Sequence, residues 1–594
     1  MNENIDVNVK TLKPFTKLLM TIGELPTSYL MSMTYYEQII WFTKYLQEQV
    51  IPAVNTNAEA VEEVQTLYLE LQNYVNTYFD NLDVQEEINK KLDEMAEDGT
   101  LELIIASYLN TQKIYNTHEE MIADVSNLVN GLKVQTLGYH NLNDGGGAFY
   151  LITDTESLTE YQESIGSLYA TLIVTDNTIN VKQLGAYGDN YNEDTTAIQN
   201  CLNNFKNIFF PRGTYLITDL SLTSKSNLNI YGENANNTML KCIKITEEAF
   251  NVVGFNTCEN IKFHDLYVHG EKTYSNTPLS FVDCNDVEVY NCIFNGGTNQ
   301  RTLNVQTFSD SYGYNTNIHD NQFYNYGNIR DGALIECTGS HETIDDEEVR
   351  HYLYNLIIKN NLCKVTEGTY IGNSDLFDCI EIDNTISCII EGNYCDNLFH
   401  IGISVDTVNI DFRVTNNYCI NCITHGINVS GAYGLTQGII SNNIIKDTRQ
   451  GIGVNNENIS ITNNQIYNSS VRGIVVLELA KYCIISNNLI DTAPEGIYVS
   501  GLVSDSLISD NKFRNISGTN KAITIADGTG NHLSLNFDNN DVTITSISRM
   551  QSINGILIGR QPSTINTLYT TGTGHLRFKD INNAVKQIDT TDIL

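Results

Sequence analysis

Ile318-His319-Asp320-Asn321-Gln322-Phe323 is a phrase that this chain repeats: an apolar or β-branched residue, two positions, an asparagine, one position, another apolar residue. It returns at Ile358 to Cys363 around Asn361, and again around Asn393, Asn417, Asn443, Asn464, Asn488, Asn511 and Asn540. The last five intervals are 26, 21, 24, 23 and 29 residues, and each unit holds only strand-length apolar segments. Self-similarity at that period predicts a β-solenoid, whose units bury their apolar faces only by stacking on one another. The repeated asparagine is expected at a coil corner. There it tolerates unusual backbone angles, and its amide bonds its counterpart in the next coil.

Some nine to twelve residues after the asparagine a second strand recurs, as in Gly402-Ile403-Ser404-Val405, Gly426-Ile427-Asn428-Val429, Gly451-Ile452-Gly453-Val454 and Gly496-Ile497-Tyr498-Val499. Strand alternation sends the Ile and Val side chains inward and the intervening ones outward. The outward positions therefore form a column with one step of about 4.8 Å per coil. Its members are Glu336, then Glu381 and Asp383, then Ser404 and Asp406, then Asn428 and Ser430; later coils supply Gly453, Val475 and Tyr498. The acids fall in three consecutive coils and stop. Carboxylates about 5 to 9 Å apart span the separations used by retaining and inverting glycosidases. Crowded like charges also raise one pKa, which places a general acid beside an ionised base. Glu336, Glu381, Asp383 and Asp406 are thus the candidate acid and base, with His400, one coil from Glu381, orienting or tuning them. His425 and Asn428 are candidate substrate contacts. A chain with 71 acids also places some on any outward column by chance, and the same carboxylates suit bound Ca²⁺; no other cofactor or metal is expected.

One coil is overlong: Asn321 and Asn361 are 40 residues apart, about 15 beyond the repeat. Its insertion near 324–354 carries Tyr324, Tyr326, Tyr352 and Tyr354, which are expected to contact ligand, because binding residues gather on long loops of rigid scaffolds. The 13 cysteines form no CxxC pairs. Cys363, Cys395 and Cys419 occupy the repeat position held later by Ile445, Ile466 and Ile490, so they read as small core hydrophobes rather than metal ligands.

At 594 residues several domains are expected. The formal charge of 34 − 71 = −37 argues against nucleic acid or anionic membrane as a partner, since phosphate binding needs clustered Lys and Arg. Met1 to Lys17 lacks the pattern of a secretory signal, and no apolar run approaches a membrane span. Val54, Val61, Tyr68, Val75 and Leu82 lie seven apart, with Asn57, Val64, Leu71 and Tyr78 between them. That heptad seam buries itself best against copies of itself, the alternative being an intramolecular helical hairpin. Shorter helices are expected at 84–97 and 100–109. Between 131 and 180 the pattern changes to short strands, and Asn143-Asp144-Gly145-Gly146-Gly147 reads as a tight turn rather than a phosphate loop.

Val181-Lys182-Gln183-Leu184-Gly185-Ala186-Tyr187-Gly188-Asp189 leads through Asp194-Thr195-Thr196-Ala197-Ile198-Gln199 to Phe210-Pro211-Arg212-Gly213-Thr214-Tyr215. This predicts a strand, an Asp-capped helix holding Ile198 and Leu202 on one face, and a strand entered through a Pro-Gly turn. The segment, with the repeats that follow to about 540, resembles the entry of the pectate-lyase-like right-handed β-helix superfamily. It departs from that pattern at Asn190-Tyr191 and Glu193. The Gly-rich turn with the helical N-terminus resembles the head of bacteriophage tailspike and tail-appendage proteins.

The expected organisation is a helical, coiled-coil head at 1–112, a small β-containing connector at 113–180, a right-handed parallel β-helix at 181–545 and a small β tail at 546–594, its strands near Gly572 to Phe578 and Ala584 to Ile588. The resemblance implies a homotrimer in the virion, made in the host bacterial cytoplasm, attached to phage tail proteins through its head and binding a bacterial surface polysaccharide. Cleavage by glycosidic hydrolysis is the leading expectation. A non-enzymatic adhesin or a structural appendage is the alternative. Lyase chemistry ranks lower, because it needs a basic proton acceptor and the column offers few beyond Arg413 and Arg449.

Overall fold

The computed structural model describes Trp41, most of residues 112–525 and three strands near the C-terminus, Thr567–Thr570, Leu576–Lys579 and Val585–Gln587. The heptad seam, the helices expected at 84–97 and 100–109, and Asn540 lie outside the described residues, as does Tyr326. Among the described residues no helix is long and apolar enough to cross a membrane.

The connector is a five-stranded sheet built from Gln112–Tyr115, Lys133–Thr136, Phe149–Thr153, Leu168–Ile173 and Gln162–Ile165 in that spatial order. Its Gly-rich segment is a tight turn. The Asp144 carboxylate accepts bonds of 2.7–3.1 Å from the amides of Tyr139, His140, Asn141 and Gly146, and Gly145 takes φ +89°. The helix Thr195–Asn204 follows, with Ile198, Cys201 and Leu202 buried in the first coil's core. Asp194 precedes it without capping it. Its carboxylate turns instead to the amides of Tyr187, Gly188 and Leu216.

From there the chain winds as a right-handed parallel β-helix. Each coil has three faces. The first two belong to a continuous 25-stranded sheet and the third to a 13-stranded sheet. The strands Leu376–Ile386 and Ile401–Thr415 run through the corner between first and second faces without a break. Eight of the repeated asparagines stack at the corner that leads into the third face. From Asn321 to Asn511, each side-chain Nδ2 donates to the Oδ1 of the next at 2.9–3.1 Å. In all eight it also donates to a main-chain carbonyl of the coil below, at 2.9 Å. The unusual backbone angle sits one residue before the ladder: Asp320, Asn360, Gly392, Asn416, Asn442, Asn463, Asn487 and Asp510 all have φ between +54° and +68°. Cys363, Cys395 and Cys419 stack inward on Ile445, Ile466 and Ile490, fully buried.

Two further expectations change in detail. The C-terminal strands form a three-stranded antiparallel sheet, since Thr567–Thr570 joins the expected pair. The extra length of the overlong coil is a hairpin, His341–Ile344 against Glu347–Arg350, which leaves the coil after Gly339, at the corner between first and second faces.

Candidate functional site

The first face carries the acid column in the register that the repeat implies. Asn304, Glu336, Glu381, Ser404, Asn428, Gly453, Val475 and Tyr498 are successive Cα partners, and two residues further along the same strands so are Thr338, Asp383, Asp406 and Ser430. One carboxylate oxygen from each of Glu381, Asp383 and Asp406 lies within 4.8 Å of the other two. Glu336 stacks beneath Glu381, only 4% exposed. Its Oε1 pairs with Arg301 Nη2 at 2.5 Å, while its Oε2 is buried without a hydrogen-bond partner among the described residues.

Burial and mutual repulsion set the protonation of this cluster. Burial, followed by the charges of Glu336, Asp383, Asp378 and Asp406, pushes the Glu381 carboxyl up to about 9. Burial, then Asp406 and Glu336, raises Asp383 to about 7, against the opposing Thr407 hydroxyl and Arg301. Burial raises Asp406 as well, but two hydroxyls oppose it: Ser430 Oγ and, at 3.0 Å, Ser404 Oγ both donate to its carboxylate. Glu381 is therefore protonated at neutral pH, and Asp406 is the member best provided with donors for a negative charge.

His400 is held beside this group rather than within it. Its Nδ1 lies 3.2 Å from Asp378 Oδ1, which also accepts from the Ile401 amide at 3.0 Å. Its charge acts to lower the Asp406 pKa. One coil further on, His425 follows Ile401 in register, and burial, followed by the His400 charge, pushes it down to about 4. Gln450 opposes that shift; the ring's Nδ1 is buried with no hydrogen-bond partner placed among the described residues, and the ring lies over Gly453. A Cβ at 453 would come within 2.6 Å of Asn428 Oδ1 and 2.9 Å of His425 Cδ2, so glycine there lets both side chains lie across the next coil.

The structure thus brings together Glu336, Glu381, Asp383 and Asp406, with His400, His425 and Asn428 on the same face. It does not bring Tyr324, Tyr352 or Tyr354 there. Tyr324 lies on the third face with its hydroxyl on Gln322. Tyr354 opens the second face, stacked on Tyr314 at 4.7 Å, with Tyr352 edge-on to it at 6.4 Å. For these three the expectation fails because the extra length described is the hairpin, which carries none of them. The hairpin itself flanks the cluster: Arg350 Nη1 donates to Oδ1 of Asn384, the residue after Asp383. Arg413 belongs to the second face, and Arg449 is exposed just before the first-face strand Gln450–Val454.

Arg301 and the Arg350–Asn384 contact carried no sequence signal, because both reach the column from outside its repeat. Asp378 did carry one, a carboxylate two residues before the inward Ile380 that adjoins Glu381. Chemically the cluster can exchange a proton between a neutral and an ionised carboxyl, and three carboxylates at this spacing also fit a hard cation such as Ca²⁺.

Two family models agree with the fold. Residues 178–344 match the family model "Rhamnogalacturonase A/epimerase, pectate lyase-like", and residues 402–568 match "Right handed beta helix region". The plasmin and fibronectin-binding protein A of Streptococcus pneumoniae (strain ATCC BAA-255 / R6) is 23% identical over 457 residues, 62% of this chain and 61% of that relative. The chain therefore spans less than two thirds of that protein's length. Among solved structures, full-length tailspike protein 2 of Escherichia coli O157:H7 bacteriophage CAB120 is similar with a TM-score of 0.41 and 13% identity, covering 66% of this chain and 51% of that one. The catalytic domain of an alpha-1,3-glucanase in complex with nigerose gives a TM-score of 0.40 and 14% identity, covering 63% and 73%.

Proposed function

We propose that this chain binds a bacterial surface polysaccharide along its first face and hydrolyses it, as the spike of a phage tail. In this reading it is a homotrimer held to the virion by the head at 1–112, ahead of the connector at 113–180, the β-helix at 181–545 and the tail at 546–594. The observation that carries the reading is the cluster itself. Buried Glu381 keeps its proton at neutral pH beside Asp406, whose negative charge two hydroxyls favour. Glu381 is the general acid that protonates the glycosidic oxygen; Asp406, flanked by Asp383, is the base or nucleophile. The close approach of the carboxylates favours retention over inversion, which needs room for a water between them. Asp378 holds His400, whose charge favours ionised Asp406, and His425 and Asn428 meet the sugar above it.

A second reading, adhesion without cleavage, draws on the name of the curated relative, a plasmin and fibronectin-binding protein. Incubating the full chain with purified capsule or wall polysaccharide separates the readings. Hydrolysis predicts shorter chains with new reducing ends and no ultraviolet-absorbing double bond. Absorbing products would mean a lyase, and binding without shortening an adhesin. The same assay with EDTA and then Ca²⁺ expects unchanged release, because the acid and base are both carboxyls. Release that follows Ca²⁺ would move these side chains from proton transfer to cation binding.

A further inference from the structure

The second face changes character halfway up the helix. Its outward column begins with Asn229, Lys262, Glu288 and Asn317, successive partners in register. It continues with Ile357, Ile389, Arg413, Ile439, Ser460, Ile484 and Leu507. Four polar residues are thus followed by a run in which five of seven are aliphatic. Ile439 is 40% exposed and Ile484 44%, and Leu479 and Tyr482 on the adjoining corner are 45% and 56% exposed. Beside the stripe runs a second outward column, Thr415, Ser441, Thr462, Ser486 and Ser509, which is small and uncharged. From Arg413 upward the two columns hold one charged residue, in a chain of net charge −37.

A sheet face that stays in water carries polar outward residues, as the lower half of this one does. The upper half has the composition of a covered face. Seven coils at about 4.8 Å make a stripe about 29 Å long. With its flanking column and corner it offers several hundred Å², the apolar centre of an interface that needs about 800 Å² per partner.

We propose that this stripe is a contact surface between copies of this chain. Three observations select a second copy over another occupant. Ridges repeating at every coil mesh with ridges of the same period, and another copy presents that period. Copies of a chain with net charge −37 repel one another, and from Arg413 upward the two columns of the stripe carry no acid to add to that repulsion. The heptad seam at 54–82 independently favours self-association. The proposal stands apart from the first-face chemistry and does not depend on cleavage.

The test is photo-cross-linking of the full chain with a benzophenone amino acid in place of Ser460. Covalent dimers whose linked peptides come from 437–441, 459–462 or 484–486 of a second copy are expected. Adding Ile439→Lys and Ile484→Lys should cut their yield at least tenfold while the circular dichroism of the body is unchanged. The reporter in the otherwise unaltered chain decides the matter even if that double variant misfolds. Monomers alone, cross-links to another face, or cross-links to residues 526–566 of the same chain would overturn the proposal, the last by showing that the chain's own tail covers the stripe.

Discussion

Two columns of this β-helix share the same coils and the same spacing, yet they are opposites in energy. At the corner before the third face, asparagine stacks on asparagine. On the first face, Glu336 stacks under Glu381 and Asp383 under Asp406. An amide is both donor and acceptor, so its stack satisfies itself, and every ladder side chain from Asn361 to Asn488 bonds the copy on each side. A carboxylate only accepts, so its stack repels itself and holds protons to relieve the repulsion. A repeat that places like on like is structural where the side chain complements itself. Where it does not, the strain marks a place with another task.

The comparison can be broken most sharply at Glu381. Glu381→Gln should lower oligosaccharide release by about 10²- to 10⁴-fold, the usual contribution of a general acid, with polysaccharide binding retained. Near-normal release would remove chemistry from the repelling column. The second test sets the columns against each other in stability. Asn443→Ala removes the side chain that bonds both Asn417 and Asn464, and should cost about 2–4 kcal/mol in denaturant unfolding through the partners left unpaired.

Glu381→Gln should have the opposite sign, and its effect should depend on pH. The folded-state pKa of Glu381, about 9, lies above its unfolded value of 4.5. Below the unfolded value both states are protonated and nothing is lost. As pH rises, the unfolded chain ionises first, so stability falls by up to about 1.4 kcal/mol per pH unit for this group until the folded carboxyl ionises too. The variant lacks that loss, so its advantage over the parent should grow between about pH 5 and 9. A constant difference would show an ordinary carboxyl.

Smaller effects are expected at the edges of the column. His400→Gln removes a charge that lowers the Asp406 pKa, so it should reduce turnover about tenfold and move the acid limb of the pH profile upward; a loss with no shift of the profile would make His400 merely structural. Arg350→Ala frees the hairpin from Asn384 and should raise KM about threefold with kcat unchanged; a fall in kcat instead would place the hairpin in the chemistry.

Much of this was legible from residues alone, for a physical reason. The ladder needs an amide at every step, so the asparagine cannot drift, and it carries the coil register to strands whose own sequences vary. That register aligned Glu336, Glu381, Asp383 and Asp406 correctly. It could not assign residues across corners. Tyr324 and Tyr354 lie within one overlong coil, yet the hairpin after Gly339 absorbs the extra length and leaves them on the third and second faces. Arg301 was missed because it reaches Glu336 from outside the repeated strands. Asp194 heads its helix as expected but spends its oxygens on the preceding turn and the following strand, a tertiary choice that local spacing does not encode.

The central claim is that stacked acids on the first face hold a proton at neutral pH. Infrared difference spectroscopy between the parent and Glu381→Gln, followed from pH 4 to 10, reads it directly and needs no substrate. A protonated-carboxyl band present in the parent at pH 7, absent from the variant and lost only towards about pH 9, is the predicted result. A band that disappears near the ordinary glutamate value, around pH 4–5, would contradict it.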